Sequence, residues 1–254
     1  MPSVVFAQLT GPTWTFMADN HSSNRLLAAL PIDEYRRIEP NLKPFRLEYG
    51  DALYARGALI KYVYFPLGGI VSLLSAVDER SMLEVGIVGR EGMVGLPAFL
   101  GVKRSTNRAI VQGNGESVRL TTAAFLEECS LQGELPVLLH RFTESLMSQI
   151  SQSAVCFRFH SVEQRLARWL LMTSDRVGSS DFQLTQEFLS NMLGVRREAV
   201  NKSAVEFHSR GLINYSRGRI KIIDRKKLEQ AACKCYALIK KEEFRAAHTK
   251  VRRK

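Results

Sequence analysis

LTQEFLSNMLGVRREAVNKSAVEFHSRGLINYSRGRIKIID, from Leu184 to Asp224, holds two helical periods followed by a hairpin pattern. Thr185 stands where it can cap a first helix, and Glu187 follows in the first turn, where a carboxylate suits the positive end of the helix dipole. Phe188, Leu189, Met192 and Leu193 supply an apolar face, and Gly194 makes a short turn. A second helix is predicted from about Arg196 to Ser209, with Val200, Ala204 and Phe207 recurring at i, i+4 and i+7 on its buried side. Two short helices joined across one glycine are the layout of a helix-turn-helix.

At about 100° per residue, Glu198, Lys202 and Val205 point away from that buried side, with Arg197 and Asn201 on its flank. The residue types suit base edges in a major groove. Arg holds guanine O6 and N7 with two hydrogen bonds, Glu accepts from cytosine N4, and Asn pairs with adenine. The competing reading is a solvated helix face, which charged residues commonly form. Arg196 occupies the N-cap position, where Ser, Thr or Asp would cap better. Gly211 ends the helix, and LINYS and RIKII flank the pair Arg217-Gly218. This predicts a hairpin wing that carries Arg217, Arg219 and Lys221 to phosphates.

Charge agrees with that placement. The 254 residues hold 36 Lys and Arg against 25 Asp and Glu, a net charge of +11. From Met1 to His160 the basic and acidic residues balance at 15 each, so the whole excess lies between Ser161 and Lys254. A neutral N-terminal half and a basic C-terminal half favour a separate task for each, the second with a polyanion. The basic end, Lys250 to Lys254, is expected to be a mobile tail adding non-specific affinity.

Upstream, VEQRLARWLLMT (Val162 to Thr173) reads as a helix, and Gly178, Ser179 and Ser180 as a polar break. Before it, Leu139, Phe142, Leu146 and Ile150 recur at i, i+3, i+7 and i+11, followed by Val155, with no Gly or Pro between them. So narrow a seam predicts a dimerisation helix over 135–160; the alternative is a core helix lying on the β domain. Between Phe45 and Leu120 the pattern changes to short apolar or alternating runs (FRLEY, ALIKYVYF, IVSLLSAV, LEVGIV, AIVQ) separated by glycine-bearing turns, which predicts an antiparallel sandwich or roll. Leu26 to Ile38 has helical spacing interrupted at Pro31. The fold class is therefore α+β: an N-terminal antiparallel β-roll, jelly-roll-like, then a long helix, then a winged helix-turn-helix. The divisions are an extension over 1–24, the roll over 25–134, the dimer helix over 135–160, the DNA-binding domain over 161–228, and a C-terminal helix with basic tail over 229–254.

The chain now resembles the Crp–Fnr family of bacterial transcription regulators over about residues 25 to 240. VEQRLARWLL is similar to the first helix of the family's DNA-binding domain. GVRREAVNKSAVEFHSRGLI is similar to its recognition segment, in which an Arg-Glu pair precedes a basic residue by four positions. The resemblance implies that Arg197 and Glu198 read bases, that Lys202 contacts a base or phosphate, and that a homodimer on palindromic double-stranded DNA contacts RNA polymerase. GDALYARGALIKYVYFPLGGIVSLL (Gly50 to Leu74) is similar to the opening of a cyclic-nucleotide-binding roll. The phosphate cassette departs from the family pattern: in VGLPAFLGVKRSTNRAIVQ, Gly95-Leu96 lacks the ribose-binding Glu, and Asn107-Arg108 precedes Ala109 in place of Arg-Ser. Cyclic AMP in the usual manner is therefore not expected. Glu91, Arg104, Asn107 and Arg108 are the roll's candidate contacts for an unidentified effector.

Other classes are disfavoured. No cysteine precedes Cys129, so the N-terminal cluster of an iron–sulfur sensor is missing. Cys233 and Cys235 form a C-x-C pair on a predicted helix, where i and i+2 diverge; with no further ligands in sequence nearby, no metal is assigned, and Cys235 is expected to pack with Leu228, Ala231, Ala232, Leu238 and Ile239. Catalytic fingerprints such as G-x-S-x-G, the P-loop or H-E-x-x-H are absent, and the five histidines are scattered. An enzyme is not expected. The best uncharged candidate, Val63 to Val77, is short of a membrane span, and Met1 to Ala18 has no basic start to a signal peptide. With four unpatterned cysteines, the reading is a cytoplasmic protein without a membrane partner. The alternative function is a nucleotide-gated or RNA-binding module without sequence-specific duplex binding.

Overall fold

A computed structural model describes residues 23–78, 82–216 and 218–248. Two short helices, α1 (Arg25–Ala28) and α2 (Ile32–Ile38), flank Pro31 and are followed by a 3-10 turn at Glu39–Asn41. Asn24 is buried before α1 with its hydrogen bonds satisfied. Its Nδ2 donates to the Pro66 and Gly92 carbonyls at 2.9 Å each, and its Oδ1 accepts from the Leu26 and Leu27 amides.

Seven strands follow: β1 (Lys43–Leu47), β2 (Ala52–Tyr54), β3 (Tyr62–Pro66), β4 (Ile70–Ala76), β5 (Met82–Val88), β6 (Arg108–Gly113) and β7 (Gly115–Thr121), with α3 (Leu96–Phe99) between β5 and β6. They form two antiparallel sheets, ordered β1-β7-β3 and β2-β6-β4-β5. Phe65, Val71, Leu73, Val111, Val118 and Leu120 from both sheets share one core. The run IVSLLSA in β4 is buried along its first five residues because the sheet is covered on both faces. Val71 and Leu73 face the roll's interior, while Ile70 and Leu74 join the core of the C-terminal domain.

After α4 (Thr122–Ser130) comes α5 (Glu134–Phe159). Its leading amides are capped from afar: the Glu34 carboxylate accepts from the Glu134 amide at 2.9 Å and the Leu135 amide at 3.2 Å. The expected dimer seam is corrected here. Leu139, Phe142 and Leu146 are buried against the chain's own roll, with Ile150 packed beside them. Gly92 sits directly under Phe142, so close that a Cβ would fall 2.1 Å from the ring. The periodicity identified the buried face of the helix, and the partner of that face is the β domain. The opposite side leaves Val155 and Phe159 exposed.

The C-terminal part comprises α6 (Val162–Val177), β8 (Asp181–Gln183), α7 (Gln186–Leu193), α8 (Arg197–Ser209), β9 (Ile213–Ser216), β10 (Arg219–Ile222), α9 (Arg225–Ala231) and α10 (Cys235–His248). Ser161 and Gln164 close a reciprocal capping box at the start of α6. The hairpin β9–β10 gains a third strand, β8, directly after the polar break at Gly178 to Ser180, where sequence reading placed no strand: Phe182 pairs opposite Ile220. No helix among the described residues is long and apolar enough to cross a membrane.

The roll and the C-terminal domain share buried structure. Glu84 on β5 is fully enclosed, its Oε1 accepting from Trp169 Nε1 of α6 at 2.8 Å and its Oε2 from the Ser72 hydroxyl at 2.6 Å. Burial pushes its carboxyl up to about 7, against those donors and the charges of Arg168 and Arg176. Arg176 of α6 is buried between Glu91 of the roll, at 2.7 Å, and Glu243 of α10. Burial opposes its charge, and the two carboxylates outweigh that and raise its pKa.

Candidate nucleic-acid interface

The two helices meet as the sequence predicts. Thr185 Oγ1 accepts from the Phe188 amide at 3.1 Å, capping α7. Gly194 turns the chain in the left-handed region at φ 58°, which glycine adopts without a side-chain penalty. Arg196 caps α8 with no side-chain hydrogen bond. Val200, Ala204 and Phe207 fasten α8 into a core with Leu166, Leu170 and Leu189.

That anchoring leaves Arg196, Arg197, Glu198, Asn201 and Lys202 exposed together on the opposite face of α8 and its leading turn. Gln186, at the start of α7, was not singled out by sequence. Its Nε2 donates to Asn201 Oδ1 at 2.8 Å and its Oε1 accepts from Arg197 Nε at 3.3 Å, so one amide holds both side chains. Its position directly after the Thr185 cap was the available signal. Arg219 and Lys221 are exposed on β10, and Arg219 pairs with Asp181 at 3.1 Å. Arg217 lies outside the described residues, as do Met1 to Ser22 and Lys250 to Lys254. The surface is a row of convergent donors and one acceptor beside a cationic strand, the complement of base edges and flanking phosphates.

The effector candidates do not gather. A cavity of 170 Å³ opens between the roll and α5, lined by Tyr54, Leu73, Met93, Asn107, Leu146 and Ile150 among others. Burial pushes the Tyr54 phenol up to about 12, against hydrogen bonds from Gly95 and Ser105. Of the four candidates only Asn107 reaches this lining. Arg104 is exposed and donates to the Gly57 carbonyl at 2.9 Å. Arg108 keeps a buried Nε without a partner. Glu91 is committed to Arg176 and to the Gly89 amide. A cyclic nucleotide's phosphate needs a cation or a set of aimed donors, and no Lys or Arg lines this cavity among the described residues. The residues present do not fit that ligand.

A second cluster corrects the sequence reading of the cysteines. Cys233 lies in the turn between α9 and α10, not within a helix, so the divergence of i and i+2 does not apply. Cys235 meets Cys156 and Cys233 instead of the expected Leu228, Ala231, Ala232, Leu238 and Ile239. His160 completes the group at the end of α5. The spacing Cys156-x-x-x-His160 at a helix end was the signal in sequence, and its partners lie more than seventy residues away.

Comparison with known proteins bears on about three quarters of the chain. Residues 164–231 match the model of the Crp-like helix-turn-helix domain. A CRP-like cAMP-activated global transcriptional regulator of Mycobacterium tuberculosis is 25% identical over 203 residues, covering 77% of this chain and 90% of the relative. FixK2 from Bradyrhizobium japonicum superposes with a TM-score of 0.65 at 14% identity, over 76% of this chain and 98% of that one. The c-di-GMP responsive global regulator CLP of Xanthomonas campestris gives a TM-score of 0.61 at 15% identity, over 76% of this chain and all of that one.

Proposed function

We propose that the chain is a DNA-binding transcription regulator of the Crp/Fnr family and that it reads a palindromic duplex as a cytoplasmic homodimer, each copy placing α8 in a major groove. The observation that carries this is the exposed row of Arg197, Glu198, Asn201 and Lys202, with Gln186 holding Arg197 and Asn201 in place. Arg197 takes guanine O6 and N7, and Glu198 accepts from a cytosine amine. Arg196, Arg217, Arg219 and Lys221 hold phosphates and set the register. Residues 161–228 form the reading domain and 25–134 the sensor, with 135–160 between them. The second copy packs on the side of α5 turned away from the roll, where Val155 and Phe159 stand open. Contact with RNA polymerase follows from the family.

The effector, on this reading, enters the cavity between the roll and α5. Its lining suits a neutral or apolar molecule that touches Asn107, and a charged phosphodiester is disfavoured there. The test of the central claim is selection of the purified protein against a random duplex library at physiological salt. A twofold-symmetric motif with half-sites about one helical turn apart is expected. Salt-sensitive retention without an enriched motif would overturn sequence-specific reading.

A further inference from the structure

We propose that Cys156, His160, Cys233 and Cys235 bind one zinc ion that fastens the end of α5 to the start of α10. Three thiol sulfurs and one imidazole nitrogen all lie within 4.8 Å of one another. Cys156 Sγ is 3.4 Å from Cys233 Sγ, and Cys235 Sγ is 3.5 Å from His160 Nδ1. A tetrahedral zinc with sulfur ligands at ~2.3 Å separates its ligand atoms by about 3.8 Å, so the two short contacts need to open by a few tenths of an ångström and the widest separation to close by no more than about 1 Å. The three cysteines are buried and His160 is half-buried, which leaves no open position for a substrate and marks the site as structural.

Charge points the same way. Arg165 and Arg168 of α6 are buried beside the cluster, and neither forms an ion pair among the described residues. The Nε atoms of both are buried without a hydrogen-bond partner. Glu84 acts on Arg168 only from beyond ion-pair distance, and burying two guanidinium groups without a paired anion is costly. Three thiolates, one neutral imidazole and Zn²⁺ carry a net charge of −1, which supplies the missing counter-charge. Gln152 Nε2 donates to Cys235 Sγ at 3.1 Å, the kind of outer contact that orients a ligand. Three sulfurs and an imidazole favour zinc over harder ions such as magnesium or calcium. The fourth cysteine, Cys129, lies apart in the roll and serves as an internal control.

The position gives the site a task. His160 is the last residue before α6 begins at Ser161–Val162. Zinc there fixes the angle between the long helix and the reading domain at the point where the chain would otherwise hinge.

The full-length protein, purified under reducing conditions from zinc-supplemented medium, should contain one zinc per chain by elemental analysis and native mass spectrometry. Cys129→Ser should keep that stoichiometry, and Cys233→Ser and Cys235→Ser should each lose it. Wild-type protein stripped of metal and titrated with Co²⁺ should develop the visible bands of tetrahedral cobalt–thiolate coordination, with saturation at one equivalent; this readout does not depend on a variant folding. Trace metal with no such bands would overturn the proposal. So would a Cys156–Cys233 disulfide in freshly reduced protein, full zinc content in both cysteine variants, or stoichiometric iron in place of zinc.

Discussion

The face of α8 and the cavity under α5 differ in how their residues are brought together. The face is made by one contiguous stretch, Gln186 to Lys202, in which helical periodicity alone separates the exposed row from the residues that anchor it. The cavity is assembled from β2, β4, α3 and α5, whose members lie up to ninety-six residues apart. A site held by local geometry keeps its chemistry visible in its sequence. A site held by tertiary packing can lose a cation, as this one does relative to the cyclic-nucleotide pattern, while the roll around it stays intact.

The largest effect is expected where the two regions join. Glu84 binds its proton more tightly folded than unfolded, so its contribution to stability is full below about pH 4.5 and is lost as pH rises through about 7. Glu84→Gln keeps an acceptor for Trp169 and turns the Ser72 contact round, its amide nitrogen donating to the hydroxyl that still has Gln112 as acceptor; it should be more stable than the parent at pH 8 by about 3 kcal/mol, with little difference at pH 4. Urea unfolding at both pH values measures this; parallel curves would mean that the carboxyl ionises normally and that the join is not strained. Next, Arg197→Ala should cost about 1–3 kcal/mol on the selected site and relax preference at one base pair, read by competition against random duplex. An unchanged ratio of specific to random affinity would move base reading off that residue. Lys221→Ala should weaken specific and random binding alike and lower the salt slope by about 1; a loss confined to the selected site would make the wing a base reader. At the small end, cyclic AMP at millimolar concentration should give no calorimetric binding and no shift in Tm, since a ligand stabilises only in proportion to its occupancy. Micromolar binding would erase the contrast between the two regions.

The same division explains what could be read in advance. Thr185, Gly194 and the stripe Val200, Ala204, Phe207 each act within a few residues, and the structure has them in the expected roles. The stripe Leu139, Phe142, Leu146 identified a buried face correctly but could not name its partner, because periodicity is silent about what lies opposite. Strand β8 carries no pattern of its own and exists through pairing with β10. Gln186 is unremarkable on α7 until α8 is folded against it. Cys156 and Cys233 meet only because α5 and the α9–α10 turn are brought together from distant parts of the chain.

The carboxylate of Glu34 on the first amides of α5 has a mechanical consequence. The helix runs 26 residues, about 39 Å at 1.5 Å per residue, and ends where α6 begins. A free helix end frays and absorbs a twist within its last turn. With its leading amides gripped from α2 and its first half seated on the roll, this one behaves as a stiff shaft. A small rotation imposed beside Leu146 and Ile150 then arrives at Ser161 as a rotation rather than dying out along the way.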